Sequence, residues 1–129
     1  AKRVITQLQK DFPKQEPKKV EVLIRECNEL SIYKYIDELR KEADKAFEKK
    51  GYKTARGYYR EILEYAKKRA FPYSSLDLAE VHYNIAITYW NERNYLRAKE
   101  CFLELRNKYP NYEKEDIQDF IKRATYLGY

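Results

Sequence analysis

A spacing of 43 residues relates two stretches of this chain. Four positions recur at that spacing, as Tyr52 and Tyr95, Ala55 and Ala98, Tyr59 and Phe102, and Ile62 and Leu105. In each copy a Tyr follows a short turn, and a small residue is followed four positions later by an aromatic one. A small alanine lets two helices approach closely, and the aromatic side chain one turn later fills the space where they diverge. The spacing therefore predicts repeated helical hairpins.

The rest of the chain carries the same helical periodicity. Gly (3) and Pro (4) are scarce, and 43% of the 129 residues are hydrophobic, which is enough for one core without any run that could insert into a membrane. The pattern predicts one all-α domain over 1–129, built from six to seven helices in antiparallel hairpins. They are expected at about 1–12, 18–30, 32–50, 53–69, 76–92, 95–108 and 113–127, with Ser31 capping the third.

The segment 79–112 resembles a tetratricopeptide repeat (TPR). The positions that carry the resemblance are Ile85, Ala86, Tyr89, Ala98, Phe102 and Pro110. His82 departs from the family pattern, which often has Trp at that place. The resemblance implies a short TPR-like solenoid with the end of a truncated repeat at 1–13, a divergent repeat at 32–70, the clearest repeat at 76–112 and a capping helix at 113–129.

Residues that could carry catalysis or hold a metal are few. The single histidine, His82, falls on the predicted core face of its helix, and the three glycines are isolated. Cys27 and Cys101 stand far apart without a CxxC pair, so no Cys/His metal site can be assembled. We therefore expect a protein that is not an enzyme and that needs no cofactor.

The predicted helix at 76–92 carries a second apolar stripe beside its core face. Tyr83, Ile87 and Trp90 lie at i, i+4 and i+7, about 100° away from His82, Ile85, Ala86 and Tyr89. An amphipathic helix with two apolar faces is either buried on both or uses one to hold a partner. In TPR proteins the corresponding positions line a concave groove, and the resemblance adds Phe47, Arg40 and Asn84 to this surface.

The resemblance implies a protein–protein interaction module that binds a segment of a partner protein in this groove. The end of the repeat, Leu-Arg-Asn-Lys-Tyr-Pro at 105–110, is similar to repeats of bacterial envelope proteins. This similarity implies an assembly in the envelope or periplasm, with the cytoplasm as the alternative. Binding of a chaperone carboxylate is not expected, because Asp44 and Glu80 place negative charge where a clamp would need Asn and Lys.

Three alternatives stay open at this stage. The closing helix at 113–127, or the Pro-rich connector at 13–18, could itself cover the stripe, since terminal repeats need capping. The net charge of +6 and basic residues such as Lys50, Lys53, Arg56 and Arg60 would suit a nucleic acid, if they converged on one face. A structural module that forms homo-oligomers through exposed repeat ends is the third.

Overall fold

The computed structural model describes residues 17–68 and 75–129, and this part of the chain is helical without any strand. Its five helices are α1 (Pro17–Glu48), α2 (Tyr52–Lys68), α3 (Ser75–Asn91), α4 (Tyr95–Lys108) and α5 (Lys114–Tyr126). The all-α prediction is confirmed, and the last four helices begin and end within one residue of the predicted bounds. The predicted helix at 1–12 and the repeat end at 1–13 lie outside the described residues.

The prediction of two helices between 18 and 50 was wrong. One continuous helix runs from Pro17 to Glu48, and Ser31 is an exposed position inside it. A serine in a helix interior costs only a fraction of 1 kcal/mol relative to alanine, so it caps a helix only where the chain also breaks. The chain has no Gly or Pro between Pro17 and Gly51, and nothing else there ends the helix. The described residues therefore form five helices where the sequence predicts six, the predicted helix at 1–12 lying outside them.

The chain divides into two compact units, Ala1–Glu38 and Leu39–Tyr129. Of the first unit the structure describes residues 17–38, which belong to α1. The second unit contains the end of α1 and all of α2 to α5, and every contact discussed below lies within it. None of the described helices is long and apolar enough to cross a membrane.

The two central turns have the same backbone geometry at the 43-residue spacing. After α1, the Lys50 N–H donates to the Phe47 carbonyl oxygen (3.0 Å) and the Gly51 N–H to that of Ala46 (2.8 Å). After α3, the Arg93 N–H donates to the Trp90 carbonyl oxygen and the Asn94 N–H to that of Tyr89, both at 2.9 Å. Lys50 and Arg93 also share a left-handed φ, of 63° and 65°. The internal repeat is therefore a structural repeat at these turns.

The core of the second unit follows the same register. Alanines at equivalent places, Ala43 with Ala86 and Ala55 with Ala98, are fully buried. Four larger residues, Tyr59, Ile62, Phe102 and Leu105, are also buried at equivalent places. Helices that follow each other from α2 to α5 pack as neighbours. The residues of the small-then-aromatic pattern are thus buried in both copies.

A buried arginine joins the first hairpin to α3. Arg56 on α2 is 8% exposed, and its guanidinium lies 4.2 Å from the centre of the Tyr89 ring. Its Nη1 donates to Glu92 and to Thr88 Oγ1. Burial lowers the pKa of Arg56 from its usual value, although the ion pair and the ring face still favour the charged form.

Candidate interaction surface

The surface predicted to form a groove has a polar end, where α1 and α3 meet. Arg40 Nη2 lies 2.6 Å from Glu80 Oε2, which joins the two helices by an ion pair. Beside it, the Tyr59 hydroxyl donates to Asp44 Oδ1 (2.6 Å) and accepts from Asn84 Nδ2 (3.5 Å). Two of the predicted site residues, Arg40 and Asn84, are therefore engaged within the chain.

This polar end is electrostatically balanced. Burial and the Asp44 carboxylate both raise the pKa of Tyr59 above its usual value, so its hydroxyl keeps its proton and remains a donor. The Asp44 carboxylate accepts a hydrogen bond from that hydroxyl, and Glu80 is paired with Arg40. A partner that bound here would have to replace these bonds, which makes this end a poor place for a new polar contact.

The aromatic end of the surface is packed against the closing helix. Phe120 of α5 stacks on Phe102, with ring centres 4.6 Å apart and planes within 5°. The same ring meets Trp90 edge-on at 5.0 Å and Tyr83 at 6.4 Å. Tyr83 also contacts the Tyr112 ring at 5.9 Å. Burial raises the pKa of Tyr83, as expected for a hydroxyl partly removed from water.

Less of the aromatic stripe is therefore exposed than in the open groove floor predicted from the sequence. Tyr83 and Trp90 are half-buried, and α5 contacts both, as in the alternative where the closing helix covers the stripe. Ile87 is also half-buried. Phe47 is half-buried and meets Tyr52 edge-on at 5.6 Å, which repeats the Trp90–Tyr95 contact of the second hairpin at 4.7 Å.

One part of the stripe remains open, at the C-terminal ends of α3 and α5. Trp90 lines a cavity of about 490 Å³ together with Lys122, Arg123, Tyr126 and Leu127. The Tyr126 side chain is 92% exposed and Leu127 is 54% exposed. These five residues are called the Trp90 pocket below. Large apolar side chains at this exposure are unusual enough to mark a site of interaction when they cluster.

The last residues of the chain hold the pocket in shape. The Leu127 N–H donates to the Arg123 carbonyl oxygen and the Tyr129 N–H to that of Ala124, both at 3.0 Å. The Tyr129 ring lies 6.0 Å from that of Tyr95, and the Lys99 ammonium donates to the Tyr129 carbonyl oxygen at 2.9 Å. The segment after α5 is thus held by backbone hydrogen bonds to α5 and by contacts with the Tyr95 and Lys99 side chains of α4.

Sequence reasoning identified Trp90 but missed the other four pocket residues. Leu127 continues the spacing of Ile117, Phe120, Ile121 and Ala124, which predicts that all five face inward. The first four positions do face inward, but α5 ends at Tyr126. Leu127 follows the helix with helical dihedral angles, yet it is 54% exposed, so the spacing alone does not decide its burial. The pairing of Trp90 with α5 needs the tertiary structure.

Two of the basic residues considered for nucleic-acid binding have roles inside the fold. Arg56 is buried in its ion pair with Glu92, and Arg60 donates to the Tyr89 hydroxyl. A phosphate-binding face needs cations that point to solvent. Burial of Arg56 therefore removes one of the four residues on which that alternative rests, and the bond to Tyr89 engages a second.

The two side chains that could act as a general base or a nucleophile, His82 and Cys101, are half-buried. His82 is half-buried with its ring 6.0 Å from that of Tyr109, and burial together with the nearby Lys108 lowers its pKa. Cys101 is a free, half-buried thiol whose pKa is raised by burial, which makes it a weak nucleophile. Within the described residues, no cluster of His, Cys, Asp and Glu side chains could hold a metal ion.

Comparisons of the chain with protein-family models, with curated proteins and with solved structures find no match. The case for a function therefore depends on the surfaces described above. The Trp90 pocket stands out among them, because its apolar side chains face solvent while the polar end of the surface is satisfied within the chain.

Proposed function

We propose that this protein is a non-catalytic, protein–protein interaction module that binds a segment of a partner protein at the Trp90 pocket. The observation that carries the proposal is the clustering of Trp90, Tyr126 and Leu127 around one open cavity of about 490 Å³. A cavity of this size accepts one or two large side chains. Tryptophan and tyrosine are the residues that most often anchor protein interfaces, because they bury much apolar area with little loss of side-chain freedom.

A peptide suits this pocket better than a nucleobase does. Base stacking needs an accessible ring face, whereas Trp90 is half-buried against Tyr95 and Phe120. A side chain that enters beside it would be surrounded by Tyr126 and Leu127, and burial of apolar surface would supply the binding free energy. The TPR-like organisation and the bacterial envelope setting remain part of the proposal, supported by the sequence resemblance alone.

The test is a selection of binding peptides followed by matched variants. Random twelve-residue peptides displayed on phage are selected on the intact chain, and the affinity of each selected peptide is then measured for Leu127→Asp and Leu96→Asp. Leu96 is the control, because it is 51% exposed, close to the 54% of Leu127, and does not line the pocket. We expect a loss of at least tenfold for Leu127→Asp and less than twofold for Leu96→Asp.

Trp90 gives a second readout of the same experiment. It is the only tryptophan of the chain, so peptides without tryptophan should shift its emission to shorter wavelength and protect it from iodide when they bind. Selected peptides that bind Leu127→Asp as tightly as the native chain, or that leave the Trp90 emission unchanged, would refute the proposal.

A further inference from the structure

The charged residues of the Trp90 pocket are both cations. Lys122 and Arg123 project from the last turns of α5, and among the residues that the structure describes no carboxylate side chain lines the cavity. Arg123 Nε lies 3.0 Å from Asp119 Oδ2, with both side chains more than half exposed, so this ion pair is weak and can be exchanged. Lys122 makes no ion pair within the described part of the chain.

The backbone at this end of α5 does not offset that positive charge. The free carbonyl groups at a helix C-terminus ordinarily attract cations and repel anions. Here the carbonyl oxygens of Arg123, Ala124 and Thr125 accept hydrogen bonds from the amides of residues 127, 129 and 128. Lys99 lies on the same side of the molecule, where it donates to the Tyr129 carbonyl oxygen. A ligand carboxylate would meet ammonium and guanidinium groups rather than bare carbonyl groups.

From this geometry we infer that the partner segment is acidic and carries a large apolar side chain. The apolar side chain enters the cavity beside Trp90 and Leu127, and carboxylates on either side of it pair with Lys122 and Arg123. This inference rests on the proposed function and adds the chemical class of the partner. Oppositely charged rims mainly raise the association rate and select among partners, while the apolar anchor supplies most of the affinity.

Three synthetic peptides test the inference. Each has twelve residues with a central Phe-Leu pair and no tryptophan, and the pair is flanked by four glutamates, four glutamines or four lysines. Binding to the intact chain is followed by the Trp90 emission at 50 and 300 mM NaCl. We expect the glutamate peptide to bind about tenfold more tightly than the glutamine peptide, which is the contribution of two exposed ion pairs. The advantage should shrink at the higher salt concentration.

Charge-reversed variants locate the effect. Lys122→Glu should remove the preference for the glutamate peptide and raise the affinity for the lysine peptide. Lys114→Glu is the matched control, because it makes the same change of charge on α5 but about 12 Å away along the helix axis. It should leave the order of the three affinities unchanged. Circular dichroism of both variants checks that α5 remains helical.

The outcomes separate this inference from the proposed function. Equal affinities of the glutamate and glutamine peptides, a preference for the lysine peptide, an unchanged preference in Lys122→Glu, or no binding of any of the three would each overturn the inference. None of these results alters the phage selection, which tests the pocket without any assumption about charge. A second copy of this chain is the other possible occupant of the Trp90 pocket, and light scattering at the working concentration detects it. A mass that doubles, together with loss of peptide binding, would also overturn the inference.

Discussion

The two hairpins of the second unit share a turn geometry and a set of small residues. They differ in the contacts that each makes with the next helix, which are polar in one and aromatic in the other. The first hairpin, α1 with α2, meets α3 through polar contacts, and its Tyr59 hydroxyl bonds to Asp44 and Asn84. The second, α3 with α4, meets α5 through aromatic rings, and Phe102 at the equivalent position stacks on Phe120. A single hydroxyl group distinguishes the two central side chains.

This difference shows that a hairpin repeat fixes its own internal packing but not the surface it offers to the next helix. Tyr59 and Phe102 are both almost fully buried, so each must suit the helix that covers it. A buried hydroxyl without partners costs free energy, and a buried ring without ring contacts leaves space. Substitutions that exchange or remove the side chains distinguishing the two hairpins therefore test this difference.

The largest effect is expected from Phe102→Ala. The side chain is fully buried and stacks on Phe120, so its removal leaves a cavity between α4 and α5. We expect a loss of about 3–5 kcal/mol in the free energy of unfolding, measured by urea denaturation. The Trp90 emission should also move to longer wavelength, because Phe120 packs on Trp90. Leu96→Ala, at an exposed position, should cost less than about 0.5 kcal/mol, and a similar loss in both variants would contradict the prediction.

Phe102→Tyr gives the second hairpin the central residue of the first. The added hydroxyl would enter an aromatic cluster that includes Tyr83 and Phe120, whereas the Tyr59 hydroxyl bonds to Asp44 and Asn84. We expect a loss of about 1–3 kcal/mol in the free energy of unfolding. A stability equal to that of the native chain would show that the hydroxyl finds a partner, and the comparison would then not hold.

Tyr59→Phe makes the reverse exchange and should cost less, about 0.5–1.5 kcal/mol. It removes the donor to Asp44 and the acceptor for Asn84, but Asp44 is exposed and can be solvated by water instead. Urea denaturation measures the loss, and Tyr58→Phe on the same helix is the control, since Tyr58 is half-buried rather than buried. An equal effect of the two variants would mean that the bonds to α1 and α3 do not stabilise the fold.

The smallest effect concerns His82, which stands where the first hairpin has Leu39. Burial and Lys108 lower the pKa of His82 in the folded chain below its unfolded value near 6.5. Between these two pKa values the unfolded chain binds more protons, so the free energy of unfolding falls as the pH decreases below about 6.5.

We expect the free energy of unfolding of the native chain, measured by urea denaturation, to decrease from pH 7.5 to pH 5.5. The decrease should be less than about 1 kcal/mol, because the ring is partly solvated. His82→Leu should show a smaller decrease, since His82 is the only histidine of the chain. An identical decrease in both proteins would rule out His82 as its source.

Particular residues show how far the sequence could lead. The alanines at 55 and 98 and the aromatic residues four positions later predicted both hairpins, because contacts within a hairpin depend on local spacing. The helix start predicted at Ser31 was wrong, because a capping residue acts only where the chain already leaves the helix. Trp90 was found from its place on an apolar stripe, while Tyr126 and Leu127 were not, since only the packing of α5 beside α3 brings them to Trp90.

The sequence by itself determined that this chain is helical, where α2 to α5 begin and end, and that two hairpins repeat 43 residues apart. Those properties follow from hydrophobic periodicity, turn residues and small residues at contact points, which all act over short stretches of chain. Only the tertiary structure decided that Phe120 covers part of the aromatic stripe and that the rest opens into a pocket with a basic rim. The reason is physical: the sequence spacing fixes which side of a helix is apolar, but not which other helix buries it.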